Sequence, residues 1–404
     1  MLDTEDRSPR APRIVLYSHD TLGFGHLRRN LLIAGALRDS AMAPQILMIT
    51  GMREAGAFEL PKGVDCLSMP AYEKGRDGSY RPRDLGGDLA TLVQIRSQAI
   101  KAAVEAFRPD LMIVDNVPRG ALQELDPLLE ALHAEGHTRL VLGLRDVIDT
   151  AETVRRQWED KRNFETVARY YDDVWIYGDP AFYDLIKDCG MARSLGGKGR
   201  FTGYLDHSAR LASPIAVRSR DAILGDDPRP YVLCAVGGGR DGHALCEAFV
   251  ETTLPEGHRG ILVTGSQMSG VVRSNLRSRA EARGDMMLLD FVQEPIALMQ
   301  GAARIVAMGG YNTICEVLSL RRPALIAPRT TPRAEQVIRA EMLEAHGLIS
   351  VIRPERISAG TLGAWLAGPV PHPGNVQIDM WGLERVCKLA EAMLADAPEL
   401  HSAN

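Results

Sequence analysis

Short apolar runs alternate along this chain with longer segments in which apolar residues return every three or four positions. The runs predict buried strands and the segments predict amphipathic helices. In the first half the strands are expected at 13–18, 45–50, 64–68, 110–114, 138–144 and 172–176, with helices at about 25–37, 84–107, 119–136 and 149–170. The first helix shows the pattern plainly, with Leu27, Leu31, Ala34 and Leu37 on one face. Strands that alternate with helices imply a parallel, doubly wound sheet. Residues 73–87, rich in Gly, Arg and Asp, read as a long surface loop.

The periodicity breaks between Gly203 and Pro230, ending in Asp226-Asp227-Pro228-Arg229-Pro230, so a linker is expected at 206–228 after a first domain at 12–205. A second strand–helix series follows, with strands near 231–236, 261–264, 286–289, 304–307, 323–327 and 348–352. Its helices are expected at about 243–253, after Gly310, and at about 333–346 and 358–367. This gives a second domain at 229–375 and a last helix at 376–397. The predicted class is α/β, as two Rossmann-like doubly wound domains facing a cleft.

Composition narrows the function. A net charge of −5 argues against a general nucleic-acid binder. The six cysteines (Cys66, Cys189, Cys234, Cys246, Cys315, Cys387) lack any Cys-x-x-Cys spacing, which disfavours a zinc ribbon or disulfide scaffold and favours a reducing compartment. The first dozen residues have no apolar core of signal-peptide type, and no run of about 18 apolar residues occurs, so a cytoplasmic protein is expected. Peripheral contact with a membrane stays open.

Candidate chemistry gathers where strands should end, because parallel sheets bind ligands at the carboxyl ends of their strands. Arg304–Ala307 runs into Gly309-Gly310-Tyr311-Asn312-Thr313, a turn that brings backbone and free helix amides to an anion; Glu316 lies one turn further on. Gly237-Gly238-Gly239-Arg240 forms a second candidate nest for a diphosphate, with Arg240 to neutralise a leaving group. Asp290-Phe291-Val292 closes another strand. In the first half, Ser18-His19-Asp20-Thr21-Leu22-Gly23-Phe24-Gly25-His26 sets an imidazole in a glycine loop, suited to a general base near neutral pH, with Arg29 three residues later. His19 is a candidate for orienting that loop. Asp115-Asn116 and Arg145 end neighbouring strands, Asp115 to orient His26 or act as a base, Arg145 to meet a phosphate or an anionic acceptor. Each feature also has a plainer reading: a turn at the glycines, a helix cap at His26, an acid favoured near a helix start at Glu316, core packing at Phe291 and Val292.

The ordered set Gly309-Gly310, Glu316, Pro323, Pro328 and Gln336 resembles the nucleotide-sugar half of GT-B glycosyltransferases. The group in question contains the peptidoglycan N-acetylglucosaminyltransferase MurG and monogalactosyldiacylglycerol synthase (glycosyltransferase family 28-like). The resemblance implies that Glu316 holds ribose hydroxyls, Gln336 contacts the donor sugar, the segment at Phe291 and Val292 holds the base, and His26 lies between donor and acceptor. It implies a last helix that crosses back to the first domain, a UDP-sugar donor, and a glycan or lipid-linked acceptor. Arg339-Ala340 stand where MurG has an asparagine and alanine. The pattern Gly-x-Gly-His-x-x-Arg is closer to UDP-sugar hydrolases of pseudaminic acid synthesis, which keeps a hydrolase as the alternative, beside a non-catalytic sugar-nucleotide binder. No Asp-x-Asp occurs, so the expected reaction is an inverting, metal-independent and cofactor-free transfer with His26 as base.

Overall fold

The computed structural model describes residues 10–20, 24–53, 55, 59–75, 79–369 and 376–395. The first domain is built on β1 (Arg13–Ser18), β2 (Gln45–Thr50) and β3 (Val64–Ser68), a hairpin of β4 (Tyr72–Lys74) and β5 (Tyr80–Pro82), then β6 (Leu111–Asp115), β7 (Arg139–Arg145), β8 (Asp173–Tyr177) and β9 (Gly199–Phe201). Apart from the hairpin these form one seven-stranded sheet in the order β3-β2-β1-β6-β7-β8-β9. All its pairings are parallel. β6 and β8 are buried along their whole length. Helices cover both faces, which is why these strands read as unbroken apolar runs.

The second domain carries β10 (Tyr231–Ala235), β11 (Arg259–Val263), β12 (Met286–Leu289), β13 (Arg304–Met308), β14 (Ala324–Ala327) and β15 (Ser350–Val351). Its six-stranded sheet runs β12-β11-β10-β13-β14-β15, the order 3-2-1-4-5-6 of a dinucleotide-type fold, whose ligand crevice lies where the strand order reverses. Here that crevice is at the ends of β10 and β13, which are neighbours.

Several expected elements take a different form. The helix expected from 84 starts at Leu89, after the glycine pair at 86–87, because Asp88 accepts a hydrogen bond from Thr91 N at 2.7 Å and caps it. The segment 119–136 is a helix only from Asp126, since Gly120, Leu122 and Gln123 all have positive φ. Left-handed Arg162 (φ 53°) splits 149–170 into Ala151–Asp160 and Asn163–Tyr170. The loop expected at 73–87 contains most of the β4–β5 hairpin. The expected linker holds a helix, Pro214–Leu224, started by a proline whose missing N–H costs nothing at that position. The last helix spans Gly382–Ala395; the residues before it run alongside the end of the first domain, where Tyr204 N donates to Asp379 O at 2.7 Å and Gly382 N to Tyr204 O at 3.0 Å. This helix packs on the Gly25–Asp39 helix, burying Val386 and Ala390. No described helix is long and apolar enough to cross a membrane.

One buried polar cluster braces the first domain beneath its cleft edge. Arg96 donates Nε to Glu124 Oε2 at 2.5 Å and Nη2 to Oε1 at 2.8 Å, while Tyr17 and Tyr72 donate their hydroxyls to the same carboxylate. Both charged side chains are fully buried. Removing one partner leaves the other charged in the interior, so Glu124→Ala is expected to cost about 3–5 kcal/mol, read as a lowered urea midpoint.

Candidate active site

The carboxyl ends of β1 and β6 bring the first-domain residues together. Asp20 lies just after β1 with φ 36° and is fully buried. It accepts from Ser18 Oγ at 2.5 Å, from Thr50 Oγ1, and from Leu27 N at 3.1 Å in the first turn of the Gly25–Asp39 helix. The carboxylate thus anchors the helix that carries His26 and Arg29. Gly23 lies outside the described residues.

His26 Nδ1 meets Asp115 Oδ2 in a short contact, and Arg29 forks onto the same carboxylate, Nε to Oδ1 at 2.9 Å and Nη2 to Oδ1 at 2.6 Å. Arg29 Nη2 also lies 3.0 Å from His26 Nδ1, a contact that asks for the opposite tautomer. That nitrogen already donates to Asp115, so we assign the imidazole proton to Nδ1 and leave Nε2 as the lone-pair nitrogen. Burial by itself would raise the Asp115 carboxyl; Arg29, and then His26, outweigh it and hold it well below the usual carboxylate range. Asp115 and Arg29 side chains are each 2% exposed, whereas His26 is 18% exposed and reachable. His19 is buried with its ring 4.8 Å from that of His26. Burial, followed by the charge of His26, pushes the His19 imidazole well down. Asn116 takes a left-handed turn (φ 67°) directly after β6, its N donating to Gly143 O at 2.7 Å.

Across the cleft, Gly309 and Gly310 follow β13, and the helix Tyr311–Leu320 begins at once. A Cβ built on Gly310 would touch nothing, so open space stands over the first-turn amides. Gly239 (φ +89°) is different: a Cβ there would sit 2.1 Å from Thr264 O, so the turn 237–239 needs glycine for packing. Arg240 is exposed at its end. Asn312 Nδ2 donates to Gly25 O at 2.9 Å and Arg28 Nη2 to Gln293 O at 3.0 Å, joining the two domains around His26. Thr313 is half-buried in the same turn of helix. Phe291 is exposed, 5.9 Å from Phe24 of the first domain, while Val292 belongs to the core. Of that pair, only Phe291 is free to wall a base pocket. Gln336 Oε1 accepts from Arg329 N at 3.2 Å, and this side chain abuts Gly309.

Sequence reasoning missed two sets of contacts. Arg210, from the linker, donates Nη1 to Glu316 Oε1 at 2.7 Å; the same nitrogen meets His207 Nδ1, and Nε donates to Glu294 Oε2 at 3.1 Å. Glu316 Oε2 accepts no bond among the described residues. Arg339 is the second: its fully buried guanidinium donates to Asp146 at 2.6–3.0 Å and to Gly309 O at 3.4 Å. Tyr204 adds a hydroxyl to Asp146 at 2.9 Å, and Tyr311 donates to Tyr177 O at 2.9 Å. Where the MurG group has an asparagine, this chain has an interdomain brace. The sequence marks Arg339 as a departure from the family pattern, but its partner lies 193 positions away. Arg29, which suggested a hydrolase, is here a buried partner of Asp115.

No family model matches the chain. In sequence it is 29% identical over 139 residues to the UDP-N-acetylglucosamine–N-acetylmuramyl-(pentapeptide) pyrophosphoryl-undecaprenol N-acetylglucosamine transferase of Clostridium botulinum (strain Loch Maree / Type A3). That match covers 34% of this chain and 38% of the relative's length. Among solved structures it is similar over 96% of its length to the calicheamicin glycosyltransferase CalG4, with a TM-score of 0.60 at 14% identity and all of that chain covered. MurG of Acinetobacter baumannii aligns with a TM-score of 0.56 at 14% identity, covering 94% of this chain and 99% of that one. This is the GT-B fold. UDP-GlcNAc 2-epimerase from Neisseria meningitidis, bound to UDP-GlcNAc, matches 95% of this chain and 99% of its own with a TM-score of 0.60 at 14% identity. The GT-B architecture therefore serves both transfer and epimerisation, and only the site chemistry separates them.

Proposed function

We propose that the chain is an inverting glycosyltransferase that moves a sugar from a UDP-sugar to a hydroxyl of a glycan or lipid-linked acceptor. The observation that carries this reading is the Asp115–His26 pair at the junction of the domains, where Asn312 of the second domain donates to Gly25 O, next to His26, at 2.9 Å. In this reading the helix amides of residues 311–313, beneath the open space at Gly310, and the turn 237–239 meet the diphosphate, and Arg240 meets charge on the departing nucleotide. Glu316 Oε2 accepts from the ribose, with Arg210 holding the other oxygen. The acceptor hydroxyl gives its proton to His26 Nε2 as its oxygen attacks the anomeric carbon opposite the leaving UDP. Asp115 stabilises the imidazolium and fixes the ring. The similarity to a UDP-GlcNAc-using transferase and the UDP-sugar-bound fold neighbour support uridine as the base.

Thermal melting with UDP, GDP, dTDP and ADP tests the donor half. A ligand of the folded state at a hundredfold excess over Kd stabilises by about 2.7 kcal/mol. UDP is expected to raise Tm most, and Glu316→Gln, which keeps the size of the side chain, to abolish most of that rise. Equal shifts from all four nucleotides, or none, contradict the proposal.

A further inference from the structure

We propose that Tyr311 is a positioning residue for the catalytic base: its ring fixes the plane of Arg29, and through Arg29 the Asp115–His26 pair, from the opposite domain. The catalytic part of this inference rests on the glycosyltransferase reading above.

The ring itself is held from several directions. Tyr311 opens the helix Tyr311–Leu320 of the second domain, is 4% exposed, and donates its hydroxyl at 2.9 Å to Tyr177 O, at the end of β8 in the first domain. The ring of Tyr204 stacks on it, with centroids 6.3 Å apart and planes 25° apart. The guanidinium carbon of Arg339 lies over it, 5.5 Å from its centroid, and Arg339 is in turn tied to Asp146. A ring so enclosed is a fixed surface.

Arg29 is the group that meets this surface. Its guanidinium carbon also lies over the Tyr311 ring, 5.5 Å from the centroid. Arg29 and His26 sit on one side of the Gly25–Asp39 helix and share Asp115. The fork onto Asp115 uses Nε and Nη2, and Nη1 donates no hydrogen bond among the described residues. Such a fork restrains a guanidinium within the plane of its hydrogen bonds, and an aromatic face over the central carbon restrains it across that plane. Neither cation needs Tyr311 for charge balance, since Asp115 and Asp146 supply it. What the ring contributes is orientation. Tyr311 is also the first residue of the helix whose amides face the proposed diphosphate, so one residue ties the place of the donor to that of the base.

Kinetics of UDP release from UDP-GlcNAc, with calorimetry of UDP binding, test this role. Tyr311→Leu is expected to lower kcat about tenfold, a coupling usual between residues in contact. The Kd for UDP is expected to stay unchanged, because the phosphate donors of that helix are backbone amides. Tyr311→Phe, which keeps the ring and loses the bond to Tyr177, is expected to restore most of the lost kcat. In an Arg29→Lys background, where the charge stays but the planar fork is gone, Tyr311→Leu is expected to lower kcat no further. An unchanged kcat in Tyr311→Leu overturns the proposal. So does a Kd for UDP that weakens in step with kcat, a Tyr311→Phe variant as slow as Tyr311→Leu, or a loss that recurs undiminished beside Arg29→Lys. A wild-type chain that releases no UDP fails the glycosyltransferase reading instead. The same pair of substitutions, read as urea midpoints, then decides the contact: non-additive losses keep Tyr311 as the residue that sets Arg29, and additive losses overturn that as well.

Discussion

His26→Ala is expected to lower kcat for UDP release from the donor by about a thousandfold, within the usual worth of a positioned general base, with KM for the donor little changed. The split follows from the site's division of labour. The proposed nucleotide contacts lie on the second domain, at Gly309, Gly310, Glu316 and the turn 237–239, whereas His26 belongs to the first. Asp115→Asn should also lower kcat, because an amide oxygen in place of the carboxylate no longer stabilises the imidazolium and leaves Arg29 without its counter-ion. Steady-state rates of UDP release measured for both variants check this. An unchanged kcat in His26→Ala would remove the imidazole from the mechanism.

The other large effect concerns how the domains are held. Arg339→Met leaves Asp146 charged and buried, with Tyr204 Oη on Oδ2 and Val147 N on Oδ1 but no counter-ion, and is expected to cost about 3–5 kcal/mol of stability in urea. Removing both charges, in Arg339→Met with Asp146→Leu, should recover most of that loss, since a buried ion pair is often no better than an apolar pair of similar volume. Incomplete recovery is expected from Tyr204, whose hydroxyl then loses its acceptor. A double variant as unstable as the single one would show that the brace contributes more than paired charge.

The fold was legible because its parallel strands are buried on both faces, so runs such as Leu111–Val114 and Arg304–Ala307 announce themselves. Helix limits were less so: Arg162, Leu122 and Gln123 adopt positive φ that nothing in their residue type suggests. In the site, glycine turns and the Gly-His loop were readable because turn chemistry is local. The Arg210–Glu316 contact and the Arg339–Asp146 brace were not, because each joins residues far apart in the chain, the first through packing of the linker on the second domain and the second through packing of the two domains. Asp20 also escaped notice: its role as anchor of the His26 helix depends on Ser18 and Thr50 from neighbouring strands.

The central claim is that one cleft holds a nucleotide sugar with its diphosphate on the second domain and its anomeric carbon under His26. A crystal structure of the chain with UDP-GlcNAc tests it most directly. The account predicts phosphate oxygens on the amides of residues 311–313, a ribose hydroxyl on Glu316 Oε2, and His26 Nε2 separated from the anomeric carbon by room for one hydroxyl, a hydrogen bond of about 2.6–3.2 Å from it. A nucleotide bound elsewhere, or a sugar on the far side of the cleft from His26, would contradict it.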